Sequence, residues 1–207
     1  SNQNAVYERV RLRHHMTQVQ SLITPIQQSC SRFRRAYDRL LHQLLKQYFQ
    51  IHPLGFATLD HTLVKILPVT FLRDILSTIL DLINPRPYPP SGESLKQLAN
   101  ELQNPKAIVT VGGYRISNHK NHWYFIKEWK EGTPYTNPLL RFPEGSKALG
   151  EKGWQHLLIK YPELKDINLP KRVFMASPAL LNQDDGTPTE SMVCAYFLPP
   201  MDYLKKN

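Results

Sequence analysis

The spacing of apolar residues changes once along this chain, and that change limits the folds it can adopt. Before residue 105 apolar residues recur at helical intervals, whereas residues 107–111 and 123–126 are short runs rich in β-branched and aromatic residues. The pattern predicts an α+β protein. We expect a helical domain over residues 1–104, followed by a β-hairpin and a small α/β region over residues 105–207.

The helical part divides at proline and glycine positions. Thr24, Pro25 and Gln27 fit a helix start, with a capping residue, a first-turn proline and a capping-box partner. We therefore predict one helix over residues 6–22 and a second from about 25 to 50. Further helices are expected over residues 56–83 and 94–103.

The second half is expected to contain few regular elements. Residues 107–111 and 123–126 should pair as a hairpin around a polar loop at residues 117–121, with Gly112 and Gly113 inside the first strand as a bulge or a point of close backbone approach. A helix is predicted over about residues 147–160. Two strand-like runs lie near residues 171–181 and 191–198.

The positive charge of the chain is concentrated at one end. The net charge is +9, and residues 1–46 contain eight basic residues and only two acidic ones. Such a local excess indicates a polyanionic partner, nucleic acid first and acidic lipid second. Two distant cysteines and the lack of a long apolar run favour a soluble protein of the reducing cytoplasm, without a membrane partner.

Seven of those eight basic residues are arginines, the side chain best suited to bidentate phosphate contacts. Arg32, Arg35 and Arg39 are spaced by three and four residues and should share one helix face. Phe33, Tyr37 and Leu40 are expected on the opposite face, directed toward the core. A helix face charged only for solubility remains an alternative.

No motif of an active site or metal site is present. The sequence has no Gly-x-Gly-x-x-Gly, no Gly-Lys-Ser/Thr loop, no Gly-x-Ser-x-Gly and no His-Glu-x-x-His. We therefore expect no catalytic residue, no metal and no cofactor in this chain, which by its residues alone is a nucleic-acid-binding module.

The first thirteen residues resemble a signature of bacterial tRNA(Ile)-lysidine synthases. That signature has the form Asp-x-Ser-Asn-x-Asp-x-x-Tyr/Phe-x-Arg-Asn-x-Ile-Arg. The matching residues here are Ser1, Asn2, Tyr7, Arg9 and Arg13. Leu12 replaces the isoleucine, Asn4 stands in place of an acid, and Val10 in place of the second asparagine.

Three later segments resemble the same family. Thr110–Ile116 is similar to its Thr-Leu-Gly-Gly-Cys-x-Ile strand, while Leu149–Trp154 and Ser177–Leu180 are similar to the tails of alphaproteobacterial members. The four segments follow the family's order over nearly the whole chain.

The resemblance implies an ATP-dependent ligase that adenylates the wobble cytidine of isoleucine tRNA with a CAU anticodon and then joins lysine to it. In the family an N-terminal pyrophosphatase-loop (PP-loop) domain performs this chemistry with ATP, lysine and Mg²⁺. These 207 residues lack its Ser-Gly-Gly-x-Asp-Ser loop. The resemblance therefore implies a C-terminal, tRNA-binding portion that is inactive alone.

The same resemblance assigns roles to individual residues. Asn2 and Tyr7 belong to the motif beside the active site of the full-length enzyme. Arg9 and Arg13 should reach the anticodon loop, with help from Arg11. Contacts to tRNA phosphates are expected from four more arginines: Arg32, Arg34, Arg35 and Arg39.

Two other functions fit the residues. One is a non-enzymatic, basic helical adaptor for RNA or DNA, and the other is a protein-interaction module whose arginines pair with an acidic partner. The sequence leaves the oligomeric state open, a dimer included.

Overall fold

The computed structural model describes residues 2–84, 90–128, 145–182, 187–191 and 193. Within these ranges, the side chains of residues 2–18, 21, 22, 190 and 191 are not described. The chain divides into two compact units, residues 1–47 and 48–207, and each is treated by itself. The predicted α+β class is confirmed.

The first unit consists of one helix, α1, over Asn2–Tyr48. The predicted break at Pro25 is wrong, because the helix continues through the proline. Thr24 does not cap a new helix; its Oγ1 donates to the carbonyl oxygen of Gln20 at 2.7 Å, one turn back. The hydroxyl thus bonds within the preceding turn, which stays helical.

The second unit begins with a five-stranded antiparallel sheet. Its strands, in chain order, are β1 Phe49–Ile51, β2 Ala57–Asp60, β3 Ile108–Val111, β4 Tyr114–His119 and β5 His122–Lys127. In space the order is β1-β2-β5-β4-β3. Three helices lie between β2 and β3 in the chain: α2 His61–Ile66, α3 Val69–Ile83 and α4 Gly92–Glu101.

The predicted domain boundary at residue 104 does not coincide with this division. Residues 49–51 and 57–60, expected to be helical, form strands, and β2 pairs with β5 across more than sixty residues of chain. The sheet therefore joins sequence from both predicted domains. The chain divides into its two compact units between Gln47 and Tyr48.

One set of buried residues connects the sheet with its helices. Leu59, Trp123, Phe125 and Ile116 come from the strands, and their relative exposure is zero. The α3 stripe is equally buried, at Leu72, Ile75, Leu76 and Ile79. Tyr114 on β4 also donates its hydroxyl to the carbonyl oxygen of Ile83 at 2.9 Å.

Gly112 and Gly113 form the two-residue turn between β3 and β4, so the bulge predicted within one strand is wrong. Both have positive φ, at 63° and 75°, the backbone required by a tight hairpin turn of the type I′ kind. A second such turn, at Lys120 and Asn121, joins β4 to β5. The predicted pairing of residues 107–111 with residues 123–126 is therefore wrong, because β4 lies between them and pairs with both β3 and β5.

The remaining elements form a second, smaller sheet with helices. They are β6 Lys147–Ala148, α5 Gly150–Lys160, a 3₁₀ helix Pro162–Asp166, α6 Lys171–Ala176, β7 Pro178–Leu181 and β8 Pro188–Ser191, and the sheet order is β6-β7-β8. Trp154 and Phe174 stack at 4.3 Å between ring centroids. The run predicted as a strand over residues 171–181 is half helix, and most of the run near 191–198 lies outside the described residues.

Candidate nucleic-acid interface

A line of basic side chains follows one side of α1. Arg32, Arg35 and Arg39 share this face, as predicted, and the line continues through His42 and Lys46 at the same alternation of three and four residues. All five side chains are exposed. At 1.5 Å per residue the line is about 21 Å long. We call these five residues the basic stripe.

The guanidinium groups of the stripe are available to an anion. Arg35 Nε donates to the carbonyl oxygen of Ser31 at 3.3 Å, a bond that leaves its terminal nitrogens uncommitted. In the part of the chain that the structure describes, no carboxylate forms an ion pair with the arginines of α1. Charges without internal partners are not needed to hold the fold together.

The C-terminal half of the stripe borders a surface pocket of about 400 Å³. Asp38, Arg39, His42, Gln43 and Lys46 line it. His42 Nδ1 lies 2.7 Å from the carbonyl oxygen of Asp38, so that nitrogen carries the proton and donates. Among the described residues that line the pocket, the cations Arg39 and Lys46 outnumber the single acid, Asp38.

Arg34 lies apart from the stripe. At 100° per residue it is about a third of a turn away from the line of the stripe, on the side of the apolar residues. Its side chain is exposed, like those of Arg32 and Arg35. The four arginines from 32 to 39 therefore do not form a single row.

Phe33 and Leu40, which were expected to face the core, are exposed on α1, contrary to prediction, whereas Leu41 and Leu45 on the same helix are buried. Phe33 is 72% exposed and Leu40 is 47% exposed, while Tyr37 is half-buried and stacks on Phe33 at 6.4 Å between ring centroids. Val19, Ile23 and Ile26 are exposed as well.

The arginines nearest the start of the chain belong to the same helix. Residues 9 and 13 are one turn apart on its backbone, and residue 11 lies between them. The side chains of Arg9, Arg11, Arg13, Asn2 and Tyr7 lie outside the described part of the structure. Their predicted contacts with the anticodon loop and the active site stay predictions.

The second unit contains a buried histidine that the sequence reading missed. Trp123 Nε1 donates to His61 Nδ1 at 2.9 Å, with both side chains buried. This bond requires the tautomer protonated at Nε2, and the burial lowers the pKa of His61. A neutral histidine that accepts from an indole is a structural feature. The sequence offered no local pattern for this bond, because His61 and Trp123 are 62 positions apart.

Two further histidines of the second unit, His52 and His122, influence each other. His52 stacks on Phe56 at 4.2 Å, and desolvation together with nearby His122 lowers its pKa. The described residues contain no group of three or more His, Cys, Asp or Glu side chains that could hold a metal ion.

Comparisons of the chain with protein-family models, with curated proteins and with solved structures gave no match. Among the residues that the structure describes, no helix is both long and apolar enough to cross a membrane.

Proposed function

We propose that this chain is the tRNA-binding C-terminal portion of a cytoplasmic, ATP-dependent tRNA(Ile)-lysidine synthase. The observation that carries the proposal is the basic stripe: five exposed basic side chains in one line on a helix, its arginines without carboxylate partners among the described residues. Such a line fits a sugar-phosphate backbone, because phosphates are regularly spaced charges.

The sequence resemblance supplies the identity of the RNA. Its four segments lie on α1, on the β3–β4 hairpin, at the start of α5 and at the start of β7. The two glycines of the hairpin segment have a physical reason, since both turn positions need positive φ. The family-like sequence is therefore compatible with the local backbone that it forms here.

In this proposal the chain binds and positions the tRNA, and the reaction takes place in the PP-loop domain of the full-length enzyme. Arg32, Arg35 and Arg39 bind phosphates bidentately and fix the register of the RNA without reading its bases. Arg9, Arg11 and Arg13 act nearer the anticodon. ATP, lysine and Mg²⁺ bind the PP-loop domain of the full-length enzyme, where ATP activates the cytidine.

Binding to three nucleic acids tests the proposal. Equilibrium binding of the full chain is measured with unmodified isoleucine tRNA (CAU anticodon), bulk tRNA and duplex DNA at one fixed salt concentration. We expect tighter binding to the isoleucine tRNA. Equal affinity for all three would instead support the basic adaptor, and failure to bind any of them would contradict both.

A variant links the result to the stripe. Replacement of Arg32, Arg35 and Arg39 together by Glu should abolish tRNA binding and leave the circular dichroism spectrum unchanged. Replacement of Lys96, Lys106 and Lys165 by Glu is the matched control, because these exposed lysines of the second unit carry the same total charge. Equal losses in both variants would show that net charge, not the stripe, accounts for binding.

A further inference from the structure

A small cavity in the second unit collects three cationic side chains. It has a volume of about 130 Å³ and lies where β4 and β5 meet α6. Among the described residues, those that line it are Arg115, Ile126, Lys127, Glu128, Arg172, Met175 and Ala176. We call it the strand–helix pocket.

The fold brings these residues together from distant sequence. Arg115 and Ile126 are paired across β4 and β5, and Lys127 and Glu128 follow directly along the chain. On α6 the lining residues are 172, 175 and 176, which share one side of a helix by their spacing of three and four. Three cations and one carboxylate leave the pocket with a net positive charge.

The guanidinium of Arg115 has a buried donor without an acceptor among the described residues. Its Nε is shielded from solvent and has no hydrogen-bond partner in the described part of the chain. Buried donors are nearly always paired, so an acceptor is expected at this position. Glu128 does not supply it: no bond joins the two groups, and the Oε1 of Glu128 accepts from the hydroxyl of Thr110 at 3.3 Å.

The other two cations are compatible with an anion in the pocket. Lys171, beside Arg172, is held by Glu151 at 2.7 Å, whereas Arg172 has no ion pair with the carboxylates that the structure describes. Desolvation lowers the pKa of Lys127, and a bound anion would offset that effect. Two arginines provide planar donors whose charge is permanent.

The size of the pocket restricts the ligand. Its volume equals that of about four liquid waters, enough for a tetrahedral oxyanion. It is well below the roughly 300 Å³ at which pockets for whole small molecules begin. The site therefore suits a phosphate group whose remaining substituents extend into solvent.

We propose that the strand–helix pocket binds one backbone phosphate of RNA through Arg115 and Arg172, with Lys127 contributing charge. The choice of RNA rests on the proposed function. The pocket would be a second anchor for the RNA, contained entirely within residues 48–207 and built from side chains other than those of the basic stripe.

Paired glutamine substitutions test this anchor in the full chain. Arg115→Gln with Arg172→Gln should weaken binding of the isoleucine tRNA about tenfold, since charged hydrogen bonds are lost. The slope of log affinity against log salt should become shallower by about one. Lys96→Gln with Lys106→Gln, which removes the same charge from exposed positions, should change affinity less than twofold.

Comparison of the pocket variant with the stripe variant separates failure of the pocket proposal from failure of the proposed function. If the pocket variant behaves like the lysine control while the Arg32, Arg35 and Arg39 glutamate variant loses binding, the pocket proposal fails and the proposed function stands. If neither variant weakens binding, both fail. Should the double variant not fold, Arg172→Gln alone repeats the test, because that side chain is exposed on α6.

Inorganic phosphate probes the chemistry without RNA. The Nε–H nuclear magnetic resonance signal of Arg115 should shift on phosphate titration, and it should shift equally in the stripe variant. An unchanged signal in both proteins would overturn the pocket as an anion site. A shift with phosphate but no effect of the pocket variant on tRNA affinity would overturn the assignment to RNA.

Discussion

Apolar residues recur at helical spacing on both α1 and α3, but many of those on α1 are exposed, whereas those of the α3 stripe are buried. On α3 the apolar stripe at Leu72, Ile75, Leu76 and Ile79 has no exposed surface, whereas on α1 Val19, Ile26 and Phe33 are all more than half exposed. The period of three and four therefore predicts a helix but not its burial. Exposure also varies along α1 itself, since Leu41 and Leu45 are each only 7% exposed.

Truncation of matched apolar residues should show the largest contrast. Leu76→Ala removes a fully buried side chain and should lower the free energy of unfolding by about 2–5 kcal/mol. Phe33→Ala, on the exposed face of α1, should change it by less than about 0.5 kcal/mol. Urea unfolding followed by circular dichroism measures both. A cost for Phe33→Ala equal to that for Leu76→Ala would break the comparison.

The buried hydrogen bond between Trp123 and His61 should stabilise the second unit. His61→Leu leaves the indole N–H without an acceptor and should destabilise the protein by about 1–3 kcal/mol. Adding Trp123→Phe removes the unpaired donor. In a double-mutant cycle the second substitution should therefore cost less in the His61→Leu background than in the wild type, and additive costs would contradict the hydrogen bond.

Acid should destabilise the second unit through its histidines. The pKa of His61 and that of His52 are lowered in the folded state, in both cases chiefly by desolvation. The unfolded chain therefore binds more protons once the pH falls below about 6.5, and stability should decrease from there downward.

The carboxylate of Asp60 acts in a separate, more acidic range. The backbone N–H of Thr62 lowers its pKa, so the stability it contributes is lost only as the pH falls below about 4. Unfolding free energies measured from pH 8 to pH 5 isolate the histidines. The decrease should be smaller in His61→Leu, and a flat profile in the wild-type protein would contradict the neutral state of His61.

The smallest effect on stability is expected for the arginines of the basic stripe, whose replacement should weaken tRNA binding most. Arg32→Gln, Arg35→Gln and Arg39→Gln should each change the free energy of unfolding by less than about 0.5 kcal/mol, because these exposed guanidiniums have no described ion pair. A large loss of stability in any of them would assign that arginine a structural role.

The sequence predicted local features of this fold better than distant pairings. The sequence predicted the helical periodicity, the α+β class and the helix face shared by Arg32, Arg35 and Arg39. Strands β1 and β2 were missed because segments of three and four residues are stabilised by their neighbours in the sheet, which are β2 for β1, and β1 and β5 for β2. Pro25 suggested a helix boundary, but the turns around it remain helical.

The candidate sites differ in the same way. The stripe could be predicted because it depends on spacing within one helix, although His42 was overlooked as a continuation of the line. The strand–helix pocket could not be predicted, since Arg115 and Arg172 are 57 residues apart and meet only through the packing of α6 near β5.

The salt dependence of tRNA binding tests the central claim, that the basic stripe binds the phosphates of an RNA backbone. Affinity for the isoleucine tRNA is measured between 50 and 200 mM salt for the wild-type chain and for the variant with glutamate at positions 32, 35 and 39. If about six phosphates are contacted, the wild-type slope should be near −5, a loss of about 10³ in affinity, with a much shallower slope in the variant. A wild-type affinity that does not change with salt would contradict the claim.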